Sequence, residues 1–238
     1  MIIPMKKITL LCLDTDKVRT LEALRDLSIM HTAVAANVET ADVATLSKRL
    51  ADVNRAGLAL LEYKNRRGTA PAGAEEAVTR VNAILDERAT VEKSLEALNK
   101  EYERLRPWGN FSPEQIRTLE KQGIYVVLCT ASPKVMPELP EGVSMQEVAR
   151  DAGQVCFALI ARTPIDTKGL NVLALPERPL ADVAREIDEA GKELRALDAE
   201  LESFAPALDE IRAYRAEVED ELTFARNRDG MAVDGAIS

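Results

Sequence analysis

Aromatic residues make up only 4 % of this 238-residue sequence, which has one tryptophan and one histidine. A lone imidazole, His31, leaves no second histidine for a catalytic triad or a histidine-based metal site. His31 stands at the start of an apolar stretch and reads as a packing or hydrogen-bonding residue. Cysteine is sparse and odd in number, at positions 12, 129 and 156, with no CxxC spacing to clip a metal. Cys12, Cys129 and Cys156 each sit in an apolar, strand-like run and read as buried small hydrophobes in a reducing compartment. The sequence has no GxGxxG, GxxxxGKS/T or HExxH motif. Its longest apolar runs, such as Val155 to Ala161, fall well short of the ~18 to 20 residues that cross a bilayer. Residues Met1 to Lys7 lead into a strand pattern rather than a signal-peptide core, so the chain is expected to stay in the cytoplasm.

What the sequence does contain is helix-forming residues. Ala, Leu, Glu, Lys and Arg account for 118 of the 238 residues, the composition of long helices or coiled coil. Met5 to Leu13 reads as a strand. Asp14 to Asp16 then precede an apolar pattern at Val18, Leu21, Leu24 and Leu27, a capped amphipathic helix. Ile29 to Val38 reads as a second strand. The resulting βαβ unit is too small to bury both faces of its sheet alone and needs a partner from elsewhere in the chain. Its first turn offers Asp14 and Asp16 instead of glycines. Carboxylates there repel phosphate, so both read as helix caps and not as a nucleotide site or a catalytic pair.

From residue 43 the apolar positions change to heptad steps of three and four: Val43, Leu46, Leu50, Val53, Gly57 and Leu60. Asn65 to Gly73 breaks the pattern with Gly68, Pro71 and Gly73. It resumes at Ile84, Arg88, Val91, Leu95, Leu98, Tyr102 and Leu105, with Arg88 the one polar intruder, and ends at Pro107 and Gly109. The longest repeat runs through Leu180, Val183, Ile187, Ala190, Leu194, Leu197, Leu201, Phe204, Leu208, Ile211, Arg215, Val218 and Leu222. Twelve of these thirteen positions are apolar, which predicts one long coiled-coil helix that Pro206 kinks without ending.

Between the heptad regions, Ile124 to Thr130, Gln154 to Arg162 and Asn171 to Leu175 read as strands, and Ser112 to Lys121 and Ser144 to Ala149 as helices. Trp108, between Pro107 and Gly109, reads as a hinge-packing residue, with Phe111 and Tyr125 in the core of the same lobe.

The segment Asp182 to Glu221 carries 14 acids and 5 bases, whereas Lys48 to Arg67 carries a net charge of +4. Opposite flanking charges favour an antiparallel pairing, although each exposed pair contributes only about 0.2 to 1 kcal/mol. The outbound helices are longer in sum than the return helix, so a short three-helix stretch or a sidestep is expected near residues 65–74. An acidic long face disfavours nucleic acid, whose phosphates need a basic stripe.

The predicted fold class is α+β: a long antiparallel helical coiled-coil hairpin with a small α/β lobe at its tip and a partial βαβ, ferredoxin-like lobe at its base. The expected organisation is a base lobe at 1–38 completed by 225–238, an outbound helical arm at 39–106 broken near 65–74, a distal lobe at 107–178, and a return coiled-coil helix at 179–224. Bending is expected at Pro206, at Gly191 and at Gly68 to Gly73. No catalytic, cofactor or metal residues are predicted. An enzyme in the 107–178 lobe is disfavoured because that segment has no histidine, and nothing marks Lys121, Lys134 or Lys168 as desolvated. The residues alone suit a mechanical arm, with a cytoplasmic coiled-coil tether or hinge-arm protein as the alternative reading.

The two ends sharpen this choice. The opening MIIPMKKITLLCLDTDKVRTLEALRDLSIMHT resembles the start of the I subunit, or subunit a, of V/A-type rotary ATPases: a strand, an Asp-led helix, then a Leu-x-x-x-His approach to the second strand. The ending FARNRDGMAVDGAIS, residues 224–238, resembles the point where that family's return helix runs back into its base lobe. Ser28 stands where the family usually has glycine. The family also continues beyond this point into a membrane domain with a proton-handling arginine, so no proton-translocating role carries onto any residue here. The resemblance implies a non-catalytic stator arm on the cytoplasmic side of the membrane. It would link peripheral-stalk E and G subunits to the membrane sector and lie near the central-stalk cap subunit.

Overall fold

A computed structural model describes residues 10–27, 39–64, 66–134, 136–150 and 153–230. The described residues are α+β, with long helices and a small four-stranded antiparallel sheet. It divides into two compact units, residues 1–85 with 199–238 and residues 86–198.

In the first unit, a short 3-10 turn at Asp14–Asp16 leads into α1, Lys17–Leu27. The expected strands at Met5 to Leu13 and Ile29 to Val38 lie largely or wholly outside the described residues, as do His31 and the proposed completion of the base lobe beyond residue 230. Residues 10–13 are not in a strand: Leu10, Leu11 and Leu13 are exposed, and Cys12 is an exposed free thiol. Cys12 is therefore not the buried hydrophobe that its apolar run predicts. Apolar sequence alone does not bury a segment that takes no place in a sheet.

Helix α2, Ala41–Leu60, starts where Thr40 leaves helical geometry and its Oγ1 accepts a hydrogen bond from the Val43 amide at 3.3 Å. Its burial follows the heptad: Val43, Val53 and Leu60 are buried, while Leu46, Leu50 and Gly57 are half-buried. The return segment supplies α5, Leu180–Ser203, and α6, Leu208–Gly230. Val43 clusters with Leu222 and Ala225, Arg49 meets Tyr214, and Gly57 faces Ile211, so α2 and α6 run antiparallel. The first turns of α3, Ala74–Leu105, pack beside them. The Asn82 amide donates to the Asp52 carbonyl at 2.9 Å, and Arg80 forms a two-pronged bond with Glu200 at 2.6 and 2.8 Å. The surplus outbound helix is thus taken up by three helical segments side by side.

Pro206 does more than kink the return helix. It lacks the amide that would continue the ladder, and its ring crowds the carbonyl four residues back. The α-helix ends at Ser203, a 3-10 turn spans Ala205–Ala207, and α6 begins anew at Leu208. Bonds of the i to i−3 type, from Phe204 to Leu201 and from Ala207 to Phe204, bridge the gap. The apolar register survives: Leu201, Phe204, Leu208 and Ile211 are all buried. Helix α6 also runs to Gly230, so residues 225–230, expected in the base lobe, extend the return helix instead.

In the second unit, the antiparallel strands are β1 Tyr125–Ala131, β2 Ser144–Arg150, β3 Val155–Ala161 and β4 Asn171–Val172, in the order β2-β3-β1-β4. The prediction of a helix at Ser144 to Ala149 is overturned. Met, Gln, Glu and Ala favour helix locally, but pairing with the wholly apolar β3 outweighs that preference and makes the segment an edge strand with a bulge between Glu147 and Ala149. One face of the sheet packs Leu128, Cys156 and Ala158 under Trp108, with Phe111 and Ile116 beside them. The other packs Cys129, Val155, Phe157 and Leu159 under loop residues such as Met136, Val143 and Ile165.

Helix α4, Pro113–Lys121, covers the first face. Ser112 caps its start with proline at the first helical position, and the Ile124 amide bonds back to the Leu119 carbonyl around Gly123 (φ 80°), the glycine-ended stop that favours a positive φ.

Candidate functional site

In the described residues, the features able to act on a partner are helix interfaces, their charged rims and the edges of the lobe. The nucleophile-bearing side chains are dispersed. Cys129 and Cys156 lie on opposite faces of the sheet, and burial pushes both thiols up from their ordinary value. Lys121, Lys134 and Lys168 are exposed. No group of three His, Cys, Asp or Glu side chains suited to a metal ion occurs among the described residues. Asp14 and Asp16 are exposed in the opening 3-10 turn, where no side-chain capping bond forms at its N-cap, Leu13.

The most constructed polar cluster joins the start of α2 to the end of α6. Thr40 Oγ1 donates to Asp229 Oδ2 at 2.6 Å while accepting from its own helix. Arg228 reaches Asp229 through Nε at 2.6 Å and Asp42 through a terminal nitrogen at 2.8 Å. The guanidinium of Arg228, then the Thr40 hydroxyl, hold the Asp229 carboxyl below the usual carboxylate range, and Asp229 and Asp42 reinforce the charged form of Arg228. Beside this cluster lies an open groove of about 320 Å³ whose lining includes Arg25, Leu46, Glu221 and Phe224. Arg25 stands 5.1 Å over the Phe224 ring and 3.9 Å from Asp220.

Further along α2, Arg49 lies over the Tyr214 ring at 5.1 Å, donates to its hydroxyl at 2.5 Å and pairs with Glu75 at 2.9 Å. Burial opposes the charge of Arg49, but the Tyr214 hydrogen bond and the nearby Glu75 and Glu221 outweigh it. Arg49, in the basic Lys48 to Arg67 stretch, thus meets α6 partly through an aromatic ring. Ring stacking of this kind is invisible to a charge count.

In the second unit, Leu98 and Leu105 of α3 pack with Val183 of α5, which places these segments antiparallel as well. Arg178 ties them together at the lobe, bonding Glu101 at 2.9 Å and Glu186 at 2.5 Å. Nothing in the pattern singled out Arg178, because its partners lie 77 and 8 residues away in sequence. Trp108, expected at a hinge, is a core residue of the lobe, 6 % exposed.

The described residues form long helices that carry a small four-stranded lobe. No family model matches the chain. It is 27 % identical to V-type ATP synthase subunit I 1 of Treponema pallidum (strain Nichols) over 242 aligned residues, which takes in 95 % of this chain. The chain spans 38 % of the length of that relative. The likeness to subunit I read from the two ends therefore extends along nearly the whole sequence, and the chain is a homologue of this subunit.

No helix among the described residues is long and apolar enough to cross a membrane.

Proposed function

We propose that this chain acts as a non-catalytic stator arm of a V/A-type rotary ATPase, on the cytoplasmic side, linking the peripheral-stalk E and G subunits to the proton-translocating membrane sector near the central-stalk cap. The observation that carries the reading is the collinear match to subunit I over 95 % of the chain. The burial pattern supports a mechanical role. Of the thirteen heptad positions from Leu180 to Leu222, only Arg215 is exposed, so the return segment keeps one continuous apolar seam across two helices. Within each unit, outbound and return helices also pack antiparallel, as such an arm requires. Paired helices resist bending far better than a single chain, which suits a part that must oppose torque.

Binding of E–G heterodimers tests the reading. Co-elution at micromolar concentration in size-exclusion chromatography is the expected result. Failure of the folded chain to associate with E–G, with the cap subunit or with the membrane sector overturns it and leaves the coiled-coil tether as the better account.

A further inference from the structure

The end of α2 and the turn that follows it run against the charge of the chain. Residues 58–73 hold Lys64, Arg66 and Arg67 against one acid, Glu62, in a sequence whose net charge is -9. All three bases are exposed. Elsewhere in this unit arginines meet carboxylates of other helices: Arg49 at Glu75, Arg80 at Glu200 and Arg228 at Asp42. Lys64, Arg66 and Arg67 form no ion pair among the described residues. Nor do they cap α2, because the Leu58 and Leu60 carbonyls at its end already accept from the Leu61 and Tyr63 amides.

Directly before these bases, α2 leaves two leucines uncovered. Leu58 is 66 % exposed, and Leu61, in helical geometry at the C-cap, is 44 % exposed. Three residues apart, they share a face, and it is not the seam on which Val53, Ala56 and Leu60 are buried. Single exposed leucines are ordinary on a protein surface. A leucine pair beside three cations that hold no carboxylate is instead the layout that receives an amphipathic helix, whose apolar stripe covers the leucines while its flanking carboxylates meet the cations.

We propose that Leu58, Leu61, Lys64, Arg66 and Arg67 form a docking surface for an acidic amphipathic helix of a partner protein. Charge decides against other polyanions. A membrane or a nucleic acid presents an extended anionic surface, which Glu62 and the net negative charge of the chain repel, whereas a single helix needs to meet only the patch. The inference rests on this patch alone and stands whether or not the stator reading holds.

The test uses the full chain and a labelled synthetic helical peptide with leucines at i, i+3, i+4 and i+7 and glutamates between them, read by fluorescence anisotropy at about 0.05 M salt, where screening is weak. Saturable binding is expected. Combining Lys64→Glu, Arg66→Glu and Arg67→Glu is expected to weaken it about tenfold or more, and Leu58→Ser with Leu61→Ser severalfold. Lys121→Glu, Lys134→Glu and Lys168→Glu together change the net charge by the same amount at other exposed positions and should leave affinity within about twofold. Absence of peptide binding, undiminished binding after the patch reversal, an equal loss in the control, or equal binding of a scrambled peptide of the same composition overturns the proposal. Tighter binding to phosphatidylserine vesicles or to duplex DNA than to the peptide overturns it in favour of a membrane or nucleic-acid surface. If circular dichroism shows that the triple reversal is unfolded, Lys64→Gln with Arg66→Gln and Arg67→Gln is measured instead, and undiminished binding there overturns it equally.

Discussion

Ile211→Ala is the sharpest perturbation of the α2–α6 interface. Ile211 is 1 % exposed, and its Cγ2 lies 3.8 Å from where a Cβ on Gly57 would stand. Truncation removes three carbons from a fully buried side chain, about 2.4 kcal/mol at ~0.8 kcal/mol per methylene. The residue opposite is a glycine, which has no side chain to swing into the space, so most of the cavity should persist and add to the loss. The expected destabilisation is about 3 kcal/mol, inside the ~2 to 5 kcal/mol seen for such truncations. Arg215→Ala provides the contrast, because the same seam is exposed there and the change should stay within about 0.5 kcal/mol. Urea unfolding followed by circular dichroism at 222 nm measures both. A loss below about 1 kcal/mol for Ile211→Ala, or a larger loss for Arg215→Ala, would show that the heptad does not carry the interface.

Gly57→Ala is expected to stabilise the chain by about 0.5 to 1 kcal/mol, since the new methyl meets Ile211 at an ordinary contact distance and helix propensity improves; a lower urea midpoint would contradict the geometry. Asp229, whose carboxyl is held below its ordinary value by Arg228 and Thr40, contributes stability that is fully present above the unfolded value near pH 4 and is lost as pH falls through the depressed folded value. Asp229→Asn should therefore be less stable than the parent at pH 7, with the difference closing toward pH 2, as acid titration of the unfolding midpoint will read. Of the three thiols, Cys12 should react with a thiol reagent at once and Cys129 and Cys156 only on unfolding, and two fast thiols in the native protein would contradict the sheet's core.

Helices were legible in this sequence where burial is periodic. Ser112 marks the start of its helix and the Leu180 to Leu222 seam shows its spacing, and the structure buries or half-buries every seam position there except Arg215. What could not be read was set by neighbours distant in sequence. Ser144 to Arg150 has helix-forming composition and becomes a strand because β3 lies alongside it. Leu10 to Leu13 looks like a strand and remains exposed. The Arg178 clamp and the Thr40, Arg228 and Asp229 cluster join residues that no local window contains, and their chemistry appears only once helices are side by side.

The bond from Thr40 to Asp229 spans 189 positions of the chain, and its unit is assembled from two separated stretches, whereas residues 86–198 form theirs from one continuous run. On a ribosome adding about 5 to 20 residues per second, the continuous unit can be complete while α2 is still waiting for α6, tens of seconds in the slowest case. Throughout that interval Val43, Val53 and Leu60 face water or a chaperone, so a helix made early would be among the last to find its place, and nascent chains stalled before residue 208 should be cut by protease within 41–60 but spared within 125–161.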